Sequence, residues 1–171
     1  MDRRGGAHSR VMSPPLRFDG VMTQPAFIPS DERIVDTMIG LARIAKSHRI
    51  ILAGSISFEM FVELHRRGYL RVTTTRICHV PCGQHDVAFI TWPGPSFGVL
   101  EAALDGLVHF LSAAGVLVIW VGPRQMSSRA LRLALKKFGF RIESGTRCEG
   151  GVAISARRIE TEPARERRVR Q

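Results

Sequence analysis

The sequence predicts an α/β fold: three layers, α/β/α, around a mostly parallel sheet that ends in an antiparallel strand pair. Three observations predict it. Short apolar, β-branched runs alternate with amphipathic helical periods through the middle of the chain. That alternation calls for crossover connections and a largely parallel sheet covered on both faces. Gly, Pro or Ser stands between the runs, which punctuates them as separate elements. The last two strand-like runs are separated only by Glu149-Gly150-Gly151, too short for a crossover, so they pair antiparallel.

Taken in order, residues 1–29 hold three Gly and four Pro and keep no period, which predicts a flexible N-terminal arm. Ser30 stands as an N-cap, and Asp31 and Glu32 suit the positive end of a helix dipole. Ile34, Val35, Met38, Leu41, Ala42 and Ala45 then recur at helical spacing, predicting a helix over Asp31–Ser47. Arg49–Ala53 reads as a buried strand stopped by Gly54-Ser55. Ser57 caps a helix over Phe58–Arg67, closed by Gly68. Arg71–Cys78 is β-branched and reads as a second strand, followed by a loop over His79–His85. Asp86–Trp92 is the next strand, ended by Pro93-Gly94-Pro95. Leu100, Ala103, Leu104, Leu107, Val108 and Leu111 predict an amphipathic helix, and Val116–Val121 a deeply buried strand. Ser127 or Ser128 caps a helix carrying Leu131, Leu133, Leu135 and Phe138. Phe140–Thr146 and Val152–Arg157 complete the series as strands. The organisation is therefore an arm over 1–29, one α/β domain over 30–158 and an Arg/Glu-rich tail over 159–171.

Composition bounds the function classes. The chain has 171 residues, 44% hydrophobic and 23% charged, which suits one globular domain and excludes a wholly disordered chain. No apolar run approaches the ~18–20 residues of a spanning helix, and MDRRGGAHSR carries no apolar signal core. The expectation is a soluble, cytoplasmic protein without a membrane partner. The three cysteines follow no disulfide spacing and are expected as reduced thiols. Net charge is +10, and 22 of the 25 basic residues are arginine. That balance permits a nucleic-acid partner. No basic stripe with interleaved aromatics favours one.

Several phrases between residues 31 and 158 bear a family resemblance. His85–Ile90 (HDVAFI), Leu111–Gly122 (LSAAGVLVIWVG), Leu135–Phe140 (LKKFGF) and Val152–Arg158 (VAISARR) follow one another in order. They resemble, in turn, the Asp-led fourth strand, the passage into the fifth strand, the Gly-Phe end of the penultimate helix and the last strand of class I S-adenosylmethionine-dependent methyltransferases. The resemblance implies a Rossmann-like sheet in a reduced methyltransferase-like topology. It also implies S-adenosylmethionine as cofactor and a small-molecule or macromolecular methyl acceptor. The sequence departs from the family at three points. Its first loop, Leu52–Ser57, has one glycine where the family has three; the second strand ends Arg76-Ile77-Cys78-His79 without a carboxylate; and the third strand with its helix is missing.

Ligands of open α/β sheets bind at the carboxyl ends of the strands, near the switch in strand order. That edge would present Gly54, Ser55, the Cys78–His85 loop, Trp92-Pro93-Gly94 and Gly122–Gln125. The helix opening near Ser57 would aim its amides at an anion there, such as a methionine carboxylate. Within this edge the resemblance implies Gly54, Ser55, Cys78, His79 and Trp92 as the cofactor-binding set. Cys78-His79-x-x-Cys82-x-x-His85 has ligand chemistry suited to zinc. Adjacent Cys78 and His79 would struggle to face one ion, so ordinary loop residues are expected and no metal. Trp92-Pro93-Gly94-Pro95 lacks the Asn or Asp of amino-methylating relatives, so that chemistry is not expected, and Trp92 also reads as a core residue. No nucleophile elbow or phosphate-loop lysine is present. Asp86 is placed at a strand start, where a structural role is expected. Two functions follow: a small methyltransferase working by placement, or a catalytically inactive methyltransferase-like module that binds protein or nucleic acid through its arginines.

Overall fold

The computed structural model describes residues 31–78, 81–94, 96–123, 128–148 and 150–159. The predicted arm, the Ser30 cap, His79, Ser127 and almost all of the tail lie outside the described residues. The elements are α1 (Asp31–Ala42), β1 (Ile50–Gly54), α2 (Ser57–Arg66), β2 (Val72–Thr74), β3 (His85–Trp92), α3 (Phe97–Val108), β4 (Leu111–Val121), α4 (Ser128–Lys137), β5 (Phe140–Cys148) and β6 (Gly151–Arg158). Their order is the one the sequence predicts.

The six strands form one sheet in the order β2-β1-β3-β4-β6-β5. β2, β1, β3 and β4 are mutually parallel. β6 runs antiparallel between β4 and β5, as the short 149–151 connection requires. Strand alternation sorts the apolar side chains onto two faces. Ile50, Leu52, Val87, Phe89 and Val118 meet Ile34 and Met38 of α1 and Met60 and Leu64 of α2. Ile51, Ala88, Ile90, Leu117 and Ile119 meet Leu100 and Leu104 of α3 and Leu131 and Leu135 of α4. Each such leucine or isoleucine, fully buried, contributes about 1.5–3 kcal/mol. The sheet is therefore the middle layer of three, and its central strands read as continuous apolar runs because both faces are covered.

Three boundaries and one helix face differ from expectation, each for a local reason. α1 ends at Ala42 and not Ser47, because Arg43 takes the left-handed conformation at φ 50°. The apolar Ala45 belongs to the turn that follows, where its amide donates to the His48 ring. β2 is three residues long, not eight; after Thr74 the Ile77 amide turns back to the Thr74 carbonyl. β4 starts at Leu111, five residues before the predicted Val116. Leu111 thus pairs with His85 in the sheet and does not end α3, and a bulge between there and Val116 takes up the extra residues. In α4, Leu133 is 61% exposed, and Ala134 takes its place on the inner face beside Leu131 and Leu135.

α2 ends as Gly68 predicts. Gly68 sits at φ 83°, its amide donates to the His65 carbonyl, and the Tyr69 amide donates to the Leu64 carbonyl. Those two bonds are the Schellman closure. From β2 to β3 the chain passes without a helix among its described residues, so the strand-and-helix unit missing from the sequence is missing from the fold.

Candidate functional site at the carboxyl edge of the sheet

β1 sits between β2 and β3, and all three are parallel. The chain leaves β1 on one side through α2 and returns on the other as β3. The strand order therefore switches between β1 and β3, which is where such sheets form a ligand crevice. Gly54 closes β1 at this point. Its φ is 107°, and a Cβ built on it would lie 2.3 Å from the Thr91 carbonyl oxygen and 2.9 Å from Thr91 Oγ1. Glycine is required here because β3 passes so close, and the left-handed backbone adds to that requirement. Ser55 follows, exposed, at the turn itself.

Ile56, not the expected Ser57, is the N-cap of α2, and no side chain caps the helix. The first intrahelical bond runs from the Met60 amide to the Ile56 carbonyl. The amides of Ser57, Phe58 and Glu59 precede that bond and have no acceptor within the helix. The Ile56 amide donates to Thr91 Oγ1 at 3.4 Å. Thr91 is buried, so β3 pins the turn from beneath. Thr91 is absent from the residues expected at this edge; its signal in the sequence is a single hydroxyl in the otherwise apolar Val87–Trp92 run.

The other expected residues divide. Trp92 has its backbone at the edge, where its carbonyl accepts the Gly122 amide at 3.0 Å. Its ring is 2% exposed and packs among the residues of the α3 face. There its Nε1 donates to the Ser96 carbonyl at 3.0 Å, and it meets Phe97 edge-on at 6.1 Å between centroids. Strand alternation explains this, since Ala88, Ile90 and Trp92 share one face. Cys78 is half-buried beyond β2 and packs against the same cluster. His79 lies outside the described residues. β2 ends at Thr74, Thr75-Arg76 follow it, and no carboxylate stands there.

The cysteine–histidine motif is divided between the two ends of the sheet. Cys78 follows the carboxyl end of β2, whereas His85 opens β3 at the opposite edge. His85 is buried, with Nδ1 3.3 Å from the Phe110 carbonyl and the two rings edge-to-face at 6.3 Å. Burial holds its pKa below the ordinary histidine value, with Arg49 adding to that effect and the Phe110 carbonyl and Asp86 opposing it. Cys82 is exposed. Among the described residues no three His, Cys, Asp or Glu side chains converge as a metal site would need. Asp86 closes β1 onto β3: its Oδ2 accepts the Arg49 amide at 2.8 Å, and its own amide donates to the Arg49 carbonyl.

No protein-family model matches the sequence. No curated protein matches it either. Solved structures do match the fold. A geranyl diphosphate C-methyltransferase from Streptomyces coelicolor A3(2) aligns with a TM-score of 0.56 at 11% identity, over 75% of this chain and 79% of its own. An S-adenosylmethionine-dependent methyltransferase from Aquifex aeolicus aligns at 0.53 and 11% identity, over 75% of this chain and 93% of its own. The [4+2]-cyclase SpnF aligns at 0.54 and 11% identity, over 74% of this chain and 81% of its own. A cyclase among the neighbours marks the limit of the likeness, since one fold hosts different chemistries. What these alignments establish is that the chain has the Rossmann-like fold of the class I S-adenosylmethionine-dependent methyltransferases.

Proposed function

We propose that the chain is an S-adenosylmethionine-dependent methyltransferase. The observation that carries this reading is the uncapped amino end of α2 at the switch point of a sheet with methyltransferase strand order. The free amides of Ser57, Phe58 and Glu59 suit a carboxylate, and the helix dipole favours negative charge there. The donor set thus fits the amino-acid end of the cofactor. At the end of β2, Thr74 and Thr75 offer hydroxyls to the sugar in place of the family's acid. When bound, S-adenosylmethionine supplies an electrophilic methyl group on its sulfonium. The chain's part is positional: α2 amides fix the carboxylate, Thr91 fixes the turn that presents them, and the acceptor is held in line.

A second reading, a catalytically inactive binding module, has its own observation. The space beside Gly54 is filled by Thr91, and β2 closes without a carboxylate. Thermal unfolding with S-adenosylmethionine and S-adenosylhomocysteine separates the two readings. Ligand at about 100 times its Kd adds about 2.7 kcal/mol, which raises the midpoint of a domain this size by roughly 5–10 °C. Ser55→Trp, on an exposed residue, should abolish the shift and leave the unliganded midpoint unchanged. A folded protein that shows no shift at millimolar ligand would retire the enzyme in favour of the module.

A further inference from the structure

The opposite edge of the sheet, at the amino ends of the parallel strands, carries an excess of positive charge. Two hollows open along it. One, of about 420 Å³, is lined by Arg49, Arg71 and His85 with neutral neighbours. The other, of about 390 Å³, is lined by Arg141, Arg157 and Arg158 with Glu143. The two linings together hold five arginines and one carboxylate.

Part of the basic charge elsewhere in the fold is neutralised by ion pairs. Arg66 and Arg67 at the end of α2 are tied to Glu63, Glu32 and Asp36, and Lys137 on α4 to Glu101. At the sheet edge three of the arginine side chains have neutral partners. Arg49 donates to the Gln84 amide oxygen, Arg71 to the Ser47 carbonyl and Arg158 to the Val108 carbonyl. Glu143 is taken up by Arg157 at 2.9 Å. Arg141 has no ion-pair partner among the described residues and stands directly across the strand pair from Arg157. Like charges in that position destabilise a sheet, and the single Glu143 carboxylate offsets only one of the two.

The spacing says what the charge is for. β1 and β6 are three strand steps apart in the sheet, roughly 14 Å at the usual strand separation. A lone phosphate can reach only one hollow; a ligand with repeated phosphates reaches both. We propose that this edge docks the phosphodiester backbone of a nucleic acid, gripped without regard to sequence. β3 is eight residues long, so the bound strand lies roughly 25 Å from the carboxyl edge. It is an anchor and not the methyl acceptor, and the proposal stands whether or not the chain is a methyltransferase.

The test is fluorescence anisotropy of the full chain with a labelled 20-nucleotide RNA and a labelled 20-base-pair DNA, across a salt series. Three double variants carry the same charge change: Arg49→Gln with Arg71→Gln, Arg141→Gln with Arg157→Gln, and, as a control on α4, Arg129→Gln with Arg132→Gln. Each edge pair should weaken binding at least about fivefold and lower the salt slope by about one to two. The α4 pair should leave the slope unchanged, and Arg→Lys versions of the edge pairs should restore it, which separates charge from folding. Equal losses in all three pairs would overturn the proposal. So would an edge pair that binds like the parent, absence of binding at 50 mM salt, or displacement by inorganic phosphate at equal phosphate concentration.

Discussion

Two glycines of this chain stand in opposite situations, and the difference can be measured. Gly54 has a positive φ and a neighbour, the Thr91 carbonyl oxygen, 2.3 Å from where a Cβ would lie. Gly54→Ala must move β3 or bend β1, and it strains a backbone that an L residue avoids. The expected loss exceeds about 2 kcal/mol by chemical denaturation. Gly106 lies exposed within α3, and a Cβ there would meet nothing within 4 Å. Gly106→Ala should gain about 0.5–1 kcal/mol from helix propensity and a less free unfolded chain. An equal response at the two positions would contradict the close passage of β3 beneath the turn. The sequence marks both glycines alike. That Gly54 ends a strand was legible; that its space belongs to Thr91 was not, because the contact spans 37 residues of chain.

At the level of the element, β3 depends on a neutral ring at its start. His85 is buried against Phe110, and its lowered pKa means that the folded protein resists protonating it. Above the unfolded value of about 6.5 the ring is neutral in both states and its contribution is complete. As pH falls below that value, the unfolded chain takes up a proton that the native state refuses, so stability drops. The urea midpoint should therefore fall between pH 7 and pH 5, and fall less steeply in His85→Phe. Parallel pH lines for the two proteins would clear His85 of that role. Here too the sequence was partly legible. The apolar run of β3 was plain, but His85 was read as loop, since a histidine before an aspartate carries no mark of burial. Leu133 was misread in the other direction: three leucines at alternate positions cannot all face inward on a helix, and the inner face follows 131, 134 and 135.

For the whole molecule, alternation and one short turn were enough to fix three layers and the antiparallel end of the sheet. They could not show which side chains each edge brings together, because both edges are made by residues from separate strands. The same topology sets how the molecule comes apart. β3 is hydrogen-bonded on both sides, to β1 and to β4, and is buried on both faces by all four helices' layers. β2 is a three-residue strand at the sheet edge, bonded to β1 alone among the strands. Beside it Leu70 is 75% and Ile77 56% exposed, so little apolar contact holds the edge down. Opening β2 costs a few hydrogen bonds and one small patch of burial, whereas opening β3 exposes both cores. Native-state hydrogen exchange should therefore resolve two classes. The amides of Ala88–Ile90 and Val118–Ile119 should exchange only through global unfolding, with a strong denaturant dependence. Those of Val72–Thr74 should exchange through a local opening that denaturant hardly affects. If the β2 amides exchanged as slowly as those of β3, the loss of the neighbouring strand would have to be compensated by an association that covers this edge.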